Sequence, residues 1–280
     1  MRIHHVFATL LLPCTALSQV NAYKPATSIK TIPGYTLAWH DEFNVDGKPD
    51  STNWNYEQGF VRNEELQWYQ PANARCTGGV LLIEGRRQRV ANPHYQPGSS
   101  NWRSARQYAE YTSACITTGR LRQFGYGRFE VRARIDTAMG AWPAIWTLGT
   151  SREWPGNGEV DIMEFYRVNN VPTILANVAW ATQQRNVAKW NTQRTPLVHF
   201  TGKDPDWVNK FHVWRMDWNK DSIALYLDDE LLNVTLLNRT INADGSNPFK
   251  DKPMFILLNL ALGQNGGSPA DTKFPVKYEV

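Results

Sequence analysis

The segment Gly127–Ile135 admits one regular conformation. Arg128, Glu130, Arg132 and Arg134 fall on one side of a two-residue repeat, and Phe129, Val131, Ala133 and Ile135 fall on the other. A helix would scatter both sets around its circumference, whereas a strand puts each on its own face. Trp214–Trp218 and Ala224–Asp228 continue the pattern, and Asn219-Lys220-Asp221 between them suits a hairpin turn. Further strands are expected over Tyr35–Asp41, Val80–Arg86, Tyr126–Ile135, Ala144–Leu148, Glu159–Phe165, Ile174–Trp180, His212–Trp218, Ser222–Asp228 and Met254–Leu262. No long stretch has a helical period. Many short strands joined by Gly-, Asn- and Pro-rich turns predict an all-β, jelly-roll β-sandwich of two antiparallel sheets with an open cleft. No repeat, low-complexity tract or linker divides the chain, so residues 23–280 read as a single domain, a length that sandwiches reach. The loop from Ala91 to Ala109 is long enough to expect a functional role, as one wall of a cleft.

Residues 1–22 read as an export signal. A basic start is followed by the apolar Val6–Leu17, and Val20-Asn21-Ala22 offers a small-residue cleavage site. The apolar run is too short for a permanent membrane helix, which needs about 20 residues. Pro13 before Cys14 fits lipoprotein processing badly. The mature chain is therefore expected to be secreted or periplasmic, off the membrane, and a monomer. Signal removal leaves Cys76 and Cys115, and an oxidising compartment permits a disulfide or two buried thiols. Lysine and arginine total 30 against 26 acidic residues and are scattered, which is no nucleic-acid footprint. The 12 tryptophans and 11 tyrosines raise the prospect of carbohydrate, because sugars present flat C–H patches to indole faces.

Chemistry concentrates in Glu159-Val160-Asp161-Ile162-Met163-Glu164. Period two puts Glu159 and Asp161 on one face and sends Glu164 to the other, unless a bulge at Ile162-Met163 returns it. Three carboxylates on one face repel each other, so a purely structural strand would avoid them. Glycoside hydrolysis with retention gives them a purpose. One ionised carboxylate attacks the anomeric carbon and one protonated carboxyl serves the leaving oxygen. Like charges and partial burial keep one of them protonated.

The segment resembles the E-x-D-x-x-E signature of glycoside hydrolase family 16, in the bulged form of laminarinase-type members. Gly140-Ala141-Trp142-Pro143-Ala144-Ile145-Trp146 is similar to that family's G-x-W-P-A-x-W strand. Asp41-Glu42-Phe43, Arg62-Asn63-Glu64-Glu65-Leu66-Gln67, Tyr111-Thr112-Ser113, Tyr126–Glu130, Phe211–Trp214 and Leu257–Ala261 also match, in order. The resemblance implies endo-action on β-glucans or galactans, with Glu159 as nucleophile, Asp161 as its helper and Glu164 as acid/base. It implies sugar contacts for Asn63, with Arg62 and Glu64 as weaker candidates. Trp142 and Trp146, four apart on one strand face, are expected to stack sugar rings. Trp154 and Trp180 flank the catalytic strand, and His212 reads as structural.

Two departures stand out. Asn177 occupies a position where laminarinase-type relatives often carry histidine, and it is expected to make a polar contact there. The chain ends at Tyr278-Glu279-Val280 where members usually continue for one more strand, so either the sequence is a fragment or the sandwich lacks an edge. No cofactor is required, no His/Cys cluster suggests a metal, and a structural calcium stays open. The leading expectation is hydrolysis of β-1,3- or mixed β-1,3/1,4-glucan. A galactan hydrolase of agarase, porphyranase or carrageenase type, or a transglycosylase, shares the carboxylates. Arg103, Arg106, Arg185 and Arg194 are the basic residues that a sulfated galactan would call on. A non-catalytic carbohydrate-binding module would have no use for a protonated glutamate beside an ionised one.

Overall fold

A computed structural model describes residues 31–184 and 186–280. The export signal expected over residues 1–22, and Arg185, lie outside them. In chain order the strands are β1 (Asn55–Tyr56), β2 (Gln67–Tyr69), β3 (Ala74–Thr77), β4 (Val80–Ala91), β5 (Tyr108–Ser113), β6 (Cys115–Thr117), β7 (Gly127–Ile135) and β8 (Ala141–Gly149). They continue with β9 (Glu159–Val168), β10 (Val171–Ala181), β11 (Ala188–Pro196), β12 (His212–Trp218), β13 (Ser222–Leu227), β14 (Glu230–Leu236), β15 (Met254–Leu262) and β16 (Val276–Glu279). One sheet has seven strands in the order β1-β6-β15-β8-β9-β10-β11, all antiparallel. The other runs β14-β13-β12-β7-β16-β4-β5-β2, with β3 also on β4, and includes one parallel pair, β2 with β5.

The jelly-roll sandwich arises because both sheets turn one set of alternating side chains inward. Trp214, Met216 and Trp218 of β12 meet Ile145 of β8, Val160 and Phe165 of β9, and Ile256, Leu258 and Leu260 of β15 in one core. All of β15 but the half-buried Phe255 is buried, because its second face also looks onto other side chains, which explains its nearly continuous apolar run. The charged face of β7 points away from the core and is stitched across strands. Arg128 donates to Asp217 at 2.6 and 2.8 Å, and these two residues are directly paired in the ladder. The β12–β13 hairpin closes as its turn chemistry predicts, with Asn219 Oδ1 accepting from the backbone N–H of Asp221 and of Ser222.

Some expectations change. Tyr35–Asp41 pairs with no strand; Trp39 packs on the core, but Tyr35 and Leu37 stay exposed, and alternation without a ladder partner leaves only an extended segment. Val276–Glu279 sits inside the larger sheet, between β4 and β7, and among the described residues that sheet's edges are β14 and β2. Cys76 and Cys115 are both buried and free. The segment between Ala91 and Tyr108 carries a short helical turn, Trp102–Ala105, and does not line the cleft. It acts one layer behind: Arg103 donates to Val61 O, and Arg106 donates to the backbone carbonyls of Glu64 and Glu65.

Candidate active site

The outward face of the seven-stranded sheet carries a cleft of about 820 Å³. Its floor follows from strand parity. Trp142, Ala144, Trp146 and Leu148 of β8 face the cleft, whereas Ala141 and Ile145 face the core. On β9 the cleft set is Glu159, Asp161, Glu164 and Tyr166, and that spacing breaks the two-residue repeat once. The ladder shows where: Ile145 pairs with Met163 and Trp146 with Asp161, which skips Ile162. On the other side Leu175 pairs with Glu164 and Asn177 with Asp161, so Ala176 alone faces two residues. The bulge expected at Ile162-Met163 is present. Both of its side chains enter the core, which drives the extra residue inward and returns Glu164 to the face of Glu159.

Each carboxyl is held by a named donor. Trp154 Nε1 donates to Glu159 Oε2 at 2.5 Å, and Trp142 Nε1 donates to Glu164 Oε1 at 2.9 Å. Asn177 Nδ2 bridges Asp161 Oδ2 at 3.0 Å and Glu164 Oε2 at 2.8 Å. Burial raises the pKa of Glu159, opposed by the Trp154 N–H, a hydrogen bond from Asp161 and the charge of Arg62. Burial, then the charges of Glu164 and Glu159, push the pKa of Asp161 well above the carboxylate range. Glu164 is pushed up to about 7, by burial first and then by Glu159, against the lowering pull of Trp142, Asp161 and Asn177. A carboxyl that retains its proton to near neutrality stands on one strand face with another that is pinned by an indole N–H. Such a pair can protonate one group while presenting an oxygen to another.

The opposite wall is the loop before β2. Asn63 and Glu64 adopt left-handed backbone (φ 54° and 52°), which turns Arg62, Asn63 and Glu65 into the cleft. Asn63 Nδ2 donates to Glu65 Oε1, and the Glu64 backbone carbonyl is taken by Arg106 and Gln264. Arg62 is half-buried and ion-paired with Glu57. Burial disfavours its charge, but Glu57, Cys115, Tyr69 and Glu65 around it more than compensate and raise its pKa. Its guanidinium covers the ring of Trp146 at 5.0 Å.

Of the residues singled out in the sequence, Glu159, Asp161, Glu164, Asn63, Trp142, Trp146, Trp154 and Asn177 meet in this cleft. Trp180 does not. It lies three residues from Asn177 on the same strand, an odd step, so it enters the core while Asn177 faces the cleft. Glu64 is represented only by its backbone. Trp142 and Trp146 are 7% and 8% exposed, so they form floor more than platform, and the open indoles are Trp154 and Trp190. Arg194, one of the basic residues that a sulfated galactan would call on, lines the cleft; Trp190 and Thr192 beside it escaped the sequence reading because β11, an edge strand, has too little burial for a clear alternation. Tyr166 could have been found, two residues beyond Glu164 on the same face. His212 is structural: its ring stacks on Trp207 and contacts Asp228 and the Trp207 carbonyl. Among the described residues no group of three or more His, Cys, Asp or Glu side chains is arranged to hold a metal ion.

The chain is 33% identical over 276 residues to a β-glucanase of Rhodothermus marinus, covering 94% of this chain and 85% of that one. It is 34% identical over 256 residues to a glucan endo-1,3-β-glucosidase of Cryptopygus antarcticus, covering 85% and 84%. Among solved structures it superimposes with a TM-score of 0.79, at 32% identity over 90% of each chain, on a protein from work reporting that prominent members of the human gut microbiota express endo-acting O-glycanases to initiate mucin breakdown. Residues 88–279 match the family described as Glycosyl hydrolases family 16. That span runs from within β4 to β16 and takes in the bulged β9 with all three carboxylates; the chain belongs to glycosyl hydrolases family 16 and is a glycoside hydrolase.

Proposed function

We propose that this chain is a retaining endo-glycosidase that hydrolyses β-1,3- or mixed β-1,3/1,4-glucan. Glu159 is the nucleophile, Asp161 positions it, and Glu164 is the acid/base. The observation that carries the reading is the Glu164 carboxyl, held by Trp142 and Asn177 and pushed up to about 7, on the same face as Glu159. In the first step a Glu159 oxygen attacks the anomeric carbon while Glu164 gives its proton to the departing glycosidic oxygen. In the second, Glu164, now a carboxylate, takes a proton from water, whose oxygen displaces Glu159 and restores both groups. Trp154 and the Asp161 proton stabilise the charge on Glu159 before attack, and no cofactor enters either step. Asn63, Trp142, Trp146, Trp154 and Asn177 shape the sugar sites. The activities named for the Rhodothermus and Cryptopygus relatives support glucan as substrate. A secreted or periplasmic location agrees with a polymeric substrate and with the export signal; no helix among the described residues is long and apolar enough to cross a membrane.

Product analysis on laminarin, mixed-linkage β-glucan, agarose, porphyran, carrageenan and mucin O-glycans tests this, with Glu159→Gln as control. Oligosaccharides released from a glucan by the native chain, with turnover at least a thousandfold lower in Glu159→Gln, are the expected result (about 4 kcal/mol of transition-state stabilisation). Turnover within a few-fold of native in that variant would sink the nucleophile assignment. A second reading, endo-cleavage of galactose-containing host or algal glycans, is favoured by the overlay on the mucin-directed protein. Release from mucin O-glycans or a galactan alone would select it and keep the mechanism.

A further inference from the structure

The register across three strands orders the cleft into rows. Glu159 pairs with Ala179 and Ala179 with Trp190; Asp161 pairs with Asn177 and Asn177 with Thr192; Glu164 pairs with Leu175 and Leu175 with Arg194. Trp190, Thr192 and Arg194 therefore form a wall two strands from the carboxylates. The backbone of Arg194 stands about 10 Å from that of Glu164, two strand spacings away.

Among the described residues, Arg194 is the cleft arginine whose side chain has no ion-pair or hydrogen-bond partner. Arg62, at the other side, is ion-paired with Glu57, and its charge acts on Glu159. The charge of Arg194 acts on the Tyr166 hydroxyl, where it opposes the rise that burial causes. Of the other arginines considered for an anionic glycan, Arg103 and Arg106 serve backbone carbonyls behind the Asn63 loop, and Arg185 lies outside the described residues. A cleft-facing guanidinium with its fork unused suits a planar or tetrahedral oxyanion, to which it offers two parallel N–H donors. Thr192, next on the same face, adds a hydroxyl, and Trp190 adds an exposed ring to carry the sugar itself.

We infer that Arg194 is a specificity-determining residue: with Thr192 and Trp190 it accepts an anionic substituent, a sulfate ester or a carboxylate, on a sugar near the one that reaches Glu164. This rests on the reading of the cleft as a glycan site. The carboxyl trio does not forbid it, because burial raises the pKa of Asp161 and that of Glu164, the latter to about 7, which lessens the negative charge opposite Arg194 in weakly acidic solution.

The test is binding, so that it stays separate from turnover. Folded Glu159→Gln protein is titrated at pH 6 with laminaritetraose, its 6-O-sulfated form and its 6-carboxyl (uronyl) form, and with keratan sulfate oligosaccharide before and after desulfation. At least one charged form should bind tenfold or more tightly than its neutral counterpart, with the gain shrinking as salt is added. Sulfate and carboxylate arms separate the two sources of charge. Adding Arg194→Gln should collapse the charged-to-neutral ratio at least tenfold, and Arg194→Lys should restore part of it. Charged forms that bind no better than neutral ones, or a ratio that survives Arg194→Gln, overturn the inference. Native turnover on the polysaccharide panel decides the proposed function independently.

Discussion

Two strands of this protein carry tryptophans four residues apart, and they use them in opposite ways. Trp214 and Trp218 of β12 are 0% and 2% exposed and belong to the core between the sheets. Trp142 and Trp146 of β8 are nearly as buried yet belong to the cleft. The difference lies in what the indole nitrogens do. Trp142 donates to the Glu164 carboxyl and Trp146 to Asn259 Oδ1 at 2.7 Å, both side chains of the cleft. Trp218 donates to a backbone carbonyl, that of Phe249 at 3.2 Å, and Trp214 Nε1 has no partner among the described residues. Burial alone therefore does not separate a packing tryptophan from a working one. The chemistry of its hydrogen-bond partner does, because only the cleft pair is tied to side chains that line the cleft.

The largest effect that could break this contrast is on stability. Trp214→Ala removes a fully buried indole with core on every side, and a loss of about 3–5 kcal/mol is expected. Trp146→Ala opens onto the cleft, where water can enter and where the vacated ring had been covered by Arg62. Its stability loss should be clearly smaller, while turnover falls by at least tenfold. Chemical denaturation of both variants beside their kinetics checks this. Equal destabilisation with equal loss of turnover would erase the distinction between the two strands.

The next effect sharpens the contrast through pH, since Trp142 leans on a titrating group and neither core tryptophan does. Folding raises Glu164 from its ordinary 4.5 to about 7. The folded protein therefore holds a proton there that the unfolded chain releases. This contribution is fully present below pH 4.5 and is lost as pH rises through 7. Glu164→Gln cannot ionise, so it should match the native protein in stability at pH 4 and exceed it at pH 8. Linkage sets the ceiling of that gain at about 3 kcal/mol. Melting curves at the two pH values decide; a difference that does not depend on pH would mean that Glu164 is not the group with the raised pKa.

The same contrast explains what could be read in advance. The strands β7, β12 and β13 were legible because each has one face against the core and a periodic signature follows, and β8, β9, β10 and β15 were legible as apolar runs of strand length. The bulge was legible from chemistry, because Glu164 could join Glu159 and Asp161 in no other way. Which face of β10 looks into the cleft was not written in its own near-continuous apolar run, and Trp180 was misplaced for that reason. β11 and β14 escaped because edge strands bury little and alternate weakly. The role of Arg62 depends on Glu57 and Cys115 from elsewhere in the chain, contacts that only the assembled sheets create. The loop after Ala91 was rightly read as a long excursion, but its part, support of the Asn63 loop by Arg103 and Arg106, depends on distances that spacing does not encode.

The smallest effect tests the hydrogen bond on which the comparison turns. Trp142→Phe keeps an aromatic ring between Tyr166 and the floor but deletes the N–H that favours ionised Glu164. Without that donor the carboxylate is less stable, so the pKa of Glu164 rises. The acid step needs the protonated form, and the alkaline limb of the kcat/KM profile reports its loss. The limb should therefore move to higher pH in Trp142→Phe. A hydrogen bond worth about 1 kcal/mol corresponds to a shift of about 0.7 pH unit. Trp218→Phe, which deletes a bond to a backbone carbonyl in the core, should leave the limb in place while lowering stability. If both variants moved the limb alike, the effect would come from general loosening, and the indole of Trp142 would be no more than packing.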